Sequence, residues 1–390
     1  MSWLRLVLAL LLAGVLRDPA SAQVPGRALR QLLRASVDTT GPAPVPSVLL
    51  VASSPRGRWH WAGQAGWVRN GGARVDARTP VRLASVTKTF TAAVVLQLVE
   101  EGRLALDVPL TAYLPAGFVD SLHAGPGGPA GRQLTVRRLL RHTTGLADYI
   151  LAEPSLLAGV HTPPARPWTP RRLWQSYFAR GLHLRPLFWP NDSVHAYSDT
   201  NYLLLGTLIE WVCGQPLAAV YRQRIFRPLG LRSAYLEYHE PAPTRRAAAH
   251  PYWGRTDVGR LPTGFDWGGG GLAMTTRDLH TFWRALLAGR LFRQPATRLL
   301  LFDWVATPAG GYGAGLARAQ PPGLPPLVGH AGFYKAFVAY FPELDLYLCG
   351  TLNQAHADHV ELVRRLLPLL PAAARSGAGL PVPAAGNPRP

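Results

Sequence analysis

The chain has 390 residues, 48% hydrophobic and only 16% charged, which excludes a disordered polymer and leaves ample apolar material for a large core. Its formal net charge of +19 favours anionic surroundings. The arginines are nevertheless scattered, in runs no longer than pairs such as Arg137-Arg138, Arg171-Arg172 and Arg245-Arg246, and no nucleic-acid-binding motif accompanies them, so no nucleic-acid partner is expected.

Residues 1–22 carry the pattern of a secretory signal peptide: Arg5, an apolar core from Leu6 to Leu16, and Ala20-Ser21-Ala22 as a small-residue cleavage site. Arg17-Asp18 ends the apolar run well short of the about 20 residues that a membrane span needs. A secreted or periplasmic protein without a transmembrane anchor is therefore expected. Its folded domain would run over 23–372, with a disordered tail over 373–390 that is rich in Pro, Gly and Ala.

Within that domain, "VPSVLLVASS" and "RGRWHWAGQAGWV" flank the turn signal Ser54-Pro55-Arg56-Gly57 and predict a hairpin. A long helix is predicted from about Ser85 to a stop at Gly102. Residues 104–262 mix helical patterns with proline-heavy loops. The run Gly268–Gly271 lacks the G-K-[ST] of a phosphate loop and reads as a close-packed turn before a helix from Thr276. A strand pair around Pro342-Glu343 and a closing helix complete the pattern. The fold class is thus mixed α+β: an antiparallel sheet assembled from both ends of the chain, flanked by helices, with a mostly helical insertion. Cys213 and Cys349 sit among apolar neighbours and read as buried thiols, although one disulfide is open to them.

Lysine occurs only at positions 88 and 335 of this arginine-rich chain. Lys88 stands three residues after Ser85, a spacing that puts both side chains on one helix face. A desolvated lysine with a lowered pKa can take a serine proton, which arginine cannot do. Ser85 could equally be an N-cap beside a solvated lysine. Tyr197 could relay a proton beside such a lysine, or simply precede a helix capped by Ser198 or Asp199. In His330-Ala331-Gly332, the glycine would let substrate backbone approach, and the next N–H, of Phe333, could point into an oxyanion hole. His356 and His359 share a helix face, but no zinc motif supports them, and no metal or cofactor is expected.

Ser-x-x-Lys at 85–88, Tyr-x-Asp at 197–199 and His-x-Gly at 330–332, in that order, resemble the motif set of the serine β-lactamase and penicillin-binding protein superfamily. The likeness is to its class C-like branch, with D-alanyl-D-alanine carboxypeptidases, esterases and D-aminopeptidases. "LLRHTTGLADY", "GGGGLAMTTRDL" and "YGAGL" support it. The resemblance implies that Ser85 is acylated by an amide, ester or lactam, that Lys88 and Tyr197 share its proton, and that the N–H groups of Ser85 and Phe333 hold the oxyanion. Substrates would be small molecules or peptides, including cell-wall peptides.

Asp199 stands where that family has asparagine, which would disfavour β-lactams and favour a substrate amine. His330 replaces a lysine that would hold a substrate carboxylate; Lys335 matches no motif and reads as a surface residue. No E-x-x-L-N element is present to supply a class A deacylating glutamate. A carboxypeptidase-like peptidase or related amide hydrolase is therefore expected. A carboxylesterase or D-aminopeptidase is the alternative, and a non-catalytic binder of cell-wall peptides the remoter one.

Overall fold

The computed structural model describes residues 19–56, 58–125, 127–151, 168–260, 264–375 and 379–383. Most of the expected signal peptide lies outside them. The first described helix, α1 (Pro19–Ala35), runs through the position expected for cleavage. No single described helix is long and apolar enough to cross a membrane.

The expected hairpin forms from β1 (Ser47–Ser54) and β2 (Trp59–Gly66), with Ser54 opposite Trp59. Their burial explains their composition. All eight residues of β1 are buried, and its middle, Val48–Ala52, is an unbroken apolar run, whereas β2 alternates and forms an edge. The sheet continues with β13 (Leu346–Thr351), β12 (Ala336–Phe341) and β11 (Leu327–Ala331). It ends with β10 (Ala317–Ala319), β9 (Gly310–Tyr312) and β8 (Val305–Thr307), giving the order β2-β1-β13-β12-β11-β10-β9-β8. Every named pairing is antiparallel, and the first strand pairs with the last along Leu49↔Thr351 to Ser53↔Tyr347.

The sheet is covered on both faces. On one, Leu29, Leu32 and Leu33 of α1 pack with Val48, Leu50, Phe337 and Leu348, together with Leu362 and Val363 of the closing helix His359–Leu366. On the other lie α2 (Thr87–Glu100), buried from Thr87 to Leu98, and the helix Thr276–Leu287. Trp283 Nε1 of the latter donates to the Ala339 carbonyl of β12 at 3.2 Å. Its His280 meets Ser53 of β1 at 2.8 Å, but burial holds this imidazole down at about 3, so the pair is a neutral clamp between helix and sheet.

Three features were not visible in the chain-order reading. The strand predicted before Pro342 is two strands, β11 and β12, separated by a turn at 332–335. The short strands β8 to β10 carry little periodicity. Residues 379–383, within the tail expected to be disordered, lie against the body: Trp304 Nε1 donates to the Pro383 carbonyl at 2.9 Å and Arg298 to that of Pro381 at 3.0 Å. Both cysteines are free thiols, Cys349 fully buried and Cys213 partly so.

Candidate active site

A cleft of 330 Å³ opens between β11 and the helical region, lined among others by Ser85, Tyr197, Asp199, Asp266, Gly269, His330, Gly332, Phe333 and Lys335. All seven residues singled out in the sequence converge here, since Lys88 reaches its floor from α2. A single turn of 3₁₀ helix, Ala84–Val86, leads into α2 and puts Ser85 at the junction. The preceding Ala84 has φ +45°, a left-handed conformation that a non-glycine residue holds only when its surroundings over-determine it. Gly332 is part of that determination. Its neighbours are the Leu83 carbonyl, which an added Cβ would strike, and Ala84 Cβ, which it would approach to 2.9 Å.

Lys88 is fully buried. A lysine ammonium has three protons, and here each has an acceptor. Nζ donates to Ser85 Oγ at 3.1 Å, to the Gly269 carbonyl at 2.8 Å and to Asp199 Oδ1 in a short ion pair. The glycine run supplies more than a turn. Its short helix α3 (Trp267–Gly270) offers the Gly269 carbonyl to Lys88 and that of Gly268 to Thr91 Oγ1 at 2.6 Å, and a side chain at 269 would press on both Asp199 and Lys88.

The expectation of a lysine with a lowered pKa is corrected by this pairing. Burial alone would lower it, but Asp199 and then Tyr197 favour the charged form, and the net shift is upward. The amine is therefore an ammonium in the resting protein. Asp199 is likewise committed to Lys88 rather than left open for a substrate amine. It begins helix α4 (Asp199–Cys213).

Tyr197 lies beneath this ammonium, with Nζ 5.0 Å from its ring centroid. Its hydroxyl is buried and makes no hydrogen bond of good geometry among the described residues. Burial raises its pKa to about 12, with Lys88 and Ser85 opposing the rise. His142, which the sequence reading passed over inside "LLRHTTGLADY", stacks on the tyrosine ring at 4.3 Å. Its Nδ1 accepts from Ser198 N–H at 3.2 Å and faces the Asn201 amide at 3.1 Å, so the neutral ring carries its proton on Nε2. Burial and the nearby Lys88 charge keep it neutral.

His330 is also neutral. Burial, reinforced by Lys88, lowers its pKa to about 3. Nδ1 donates to the Ala331 carbonyl at 3.1 Å and Nε2 accepts from the Tyr312 hydroxyl at 3.0 Å. His330 thus offers no charge to a substrate carboxylate. Lys335, expected on the surface, instead lines the cleft on the β11–β12 turn with φ +61°. On the same turn Gly332 N–H is bonded to the Ala336 carbonyl at 2.7 Å, whereas no described residue accepts from Phe333 N–H. The Phe333 ring is 43% exposed and meets Trp253 edge-on at 5.7 Å, forming an aromatic wall.

Two further carboxyl groups crowd Asp199. Asp148 Oδ2 accepts the Asp199 N–H at 2.9 Å, and its Oδ1 accepts from Ile150 and Leu151 at 2.7 and 2.8 Å. Burial, then Asp199, raise its pKa to about 6. Asp266, at the start of α3, lines the cleft and is raised to about 7 for the same two reasons. His142 and Asp148 lie within "LLRHTTGLADY" with no role assigned to either there, and Asp266 lies in none of the quoted stretches, because each acts through the fold rather than through spacing.

These motifs on this sheet define a class of acyl-transferring serine hydrolases, and comparison with known proteins agrees. The chain belongs to the Beta-lactamase family, whose model matches residues 29–370. It is 30% identical to a D-stereospecific amidohydrolase from Streptomyces sp., with a TM-score of 0.71 over 88% of this chain and 98% of that one. It is 25% identical to the D-amino acid amidase from Ochrobactrum anthropi SV3 in complex with L-phenylalanine amide, with a TM-score of 0.74 over the same shares. It is also 26% identical over 247 residues to the putative penicillin-binding protein PbpX of Bacillus subtilis (strain 168), covering 63% of this chain and 54% of that protein. The chain spans about half the length of the curated relatives it matches, or less.

Proposed function

We propose that this chain is an exported serine amide hydrolase that forms an acyl-enzyme on Ser85, with short D-amino-acid amides and peptides as substrates. The observation that carries the reading is the Lys88 ammonium, which is donated at once to Ser85 Oγ, Asp199 and Gly269 above the unpaired Tyr197 hydroxyl. In the proposed step Tyr197, as its phenolate, takes the Ser85 proton while Oγ bonds to the substrate carbonyl carbon. The N–H groups of Ser85 and Phe333 receive the oxyanion. Tyr197 then returns the proton to the departing amine, and water repeats the sequence on the acyl-serine. Lys88 serves as a fixed charge that favours the phenolate rather than as the base.

The relatives' names support amide substrates of D configuration. A carboxypeptidase-like reading on cell-wall peptides has one observation in its favour, the Lys335 ammonium in the cleft, which can hold a terminal carboxylate where neutral His330 cannot.

Intact mass after treatment with a fluorophosphonate and, separately, a penicillin tests the reading. A single phosphonyl adduct that disappears in Ser85→Ala is expected, and its absence from the parent protein would defeat the acyl-serine assignment. The pH profile tests the base. With Tyr197 near 12, kcat/KM on a p-nitrophenyl ester should still be climbing above pH 9. A plateau near neutrality would instead mark a low-pKa base.

A further inference from the structure

Asp266 is the cleft carboxylate that the proposed chemistry leaves unused. Lys88 and Arg82 are the two buried cations on this side of the cleft, and each already has a partner: Lys88 in Asp199, Arg82 in Glu237 at 2.6 Å. Asp148 is saturated by three backbone N–H groups. The Asp266 carboxylate has no hydrogen bond or ion pair to any described residue, although it lies in a largely apolar cleft with Ile150, Trp253, Val258, Phe265 and Phe333. Leaving a carboxylate unpaired in such surroundings is costly, and a cationic ligand would relieve it.

Its position relative to Ser85 is equally specific. Gly270 separates the two: a Cβ built there would lie 3.0 Å from Asp266 Cβ and 3.5 Å from the carbonyl carbon of Ala84, the residue before Ser85. Asp266 is therefore about one side-chain width from the backbone that carries the serine. A substituent on the carbon next to the acyl carbonyl would face it.

We propose that Asp266 binds the free α-ammonium of the acyl-side residue, so that the site selects amino-terminal substrates and rejects N-acylated ones. This rests on the acyl-Ser85 reading above and names its substrate class. The groups facing Asp266 are Asp199 and Lys88 from the helices, Arg82 and its partner Glu237, Tyr149, and Tyr334 from the β11–β12 turn. Four carboxylates (Asp148, Asp199, Glu237 and Asp266) thus stand against two buried cations, Lys88 and Arg82, with Lys335 the third cation of the cleft, and a ligand ammonium redresses the balance. Binding it draws Asp266 into its ionised form, so affinity for the free amine improves as pH rises through its pKa of about 7 and falls again above about 8, where the ligand's own α-ammonium loses its proton.

The test compares phenylalanine p-nitroanilide, in both configurations, with its N-acetyl counterpart, which differs only in the missing charge. The expected preference of the parent protein for the free amine is about 30-fold or more in kcat/KM. In Asp266→Asn this ratio should fall to near one, and in Asp266→Glu it should partly return. The ratio is read within each variant, so a general loss of activity does not move it. A parent protein that cleaves both anilides equally, or an Asp266→Asn variant that keeps the ratio, overturns the proposal. Cleavage of neither anilide, with fluorophosphonate labelling of Ser85 intact, overturns it while sparing the hydrolase reading. Loss of labelling as well removes both.

Discussion

Lys88→Arg is expected to lower kcat/KM by about 1000-fold or more, although the positive charge is kept. The reason is geometric. One tetrahedral ammonium meets three acceptors, Ser85 Oγ, Asp199 and the Gly269 carbonyl, inside a fully buried site. A planar guanidinium is longer and cannot direct single protons to three converging oxygens. Steady-state rates on a p-nitrophenyl ester, with a thermal melt alongside, check this. Retention of more than about a tenth of the activity would mean that charge alone suffices at this position.

Asp199→Asn is expected to cost about 3 kcal/mol of stability at neutral pH, since it leaves a buried ammonium without its counter-charge. The sign with pH distinguishes this from simple loss of packing. In the parent protein the Lys88 pKa is raised, so its contribution is fully present below the unfolded value of about 10.5 and fades only as pH climbs through the higher folded value. In the variant burial is unopposed by Asp199, and the folded pKa drops below the unfolded one. The unfolded chain then binds more protons, and stability rises with pH between the two values. Urea midpoints at pH 6, 7.5 and 9 should therefore converge on the parent's as pH increases. A deficit that stays constant across that range would rule out charge as the cause. The same change restores the amide of the family's Tyr-x-Asn motif, so acylation by penicillin should become faster than in the parent.

What could be read from sequence followed local spacing. Ser85 and Lys88 lie one helical turn apart, and the turn that joins them is local, so the residue pattern announced it. The β1–β2 hairpin was equally legible, because β-branched and aromatic residues flank its turn. The charge state of Lys88 was not, since it depends on a partner 111 positions away. Spacing places residues, but burial and opposing charge decide which proton each one holds. Asp266 shows the limit clearly. Nothing beside it in "GFDWGGGG" marks it as a cleft residue; only the folding of α3 against Ala84 brings it near Ser85. Strands β8 to β10 stayed hidden because three-residue strands are too short for an alternation to show.

The pairing of β1 with β13 has a consequence for how the protein is made. The second strand of the sheet order is completed by β13, the last of the described strands, and the residues between them, including both lysines, must wait for that closure. A nascent chain that stops short of Leu346 carries β1 with one edge of backbone N–H and C=O groups unpaired. Loop closure over so long a span makes folding slow. Ser85, its ammonium and its oxyanion donors can therefore come together only once Leu346–Thr351 has been made, which keeps the reactive serine unassembled until then.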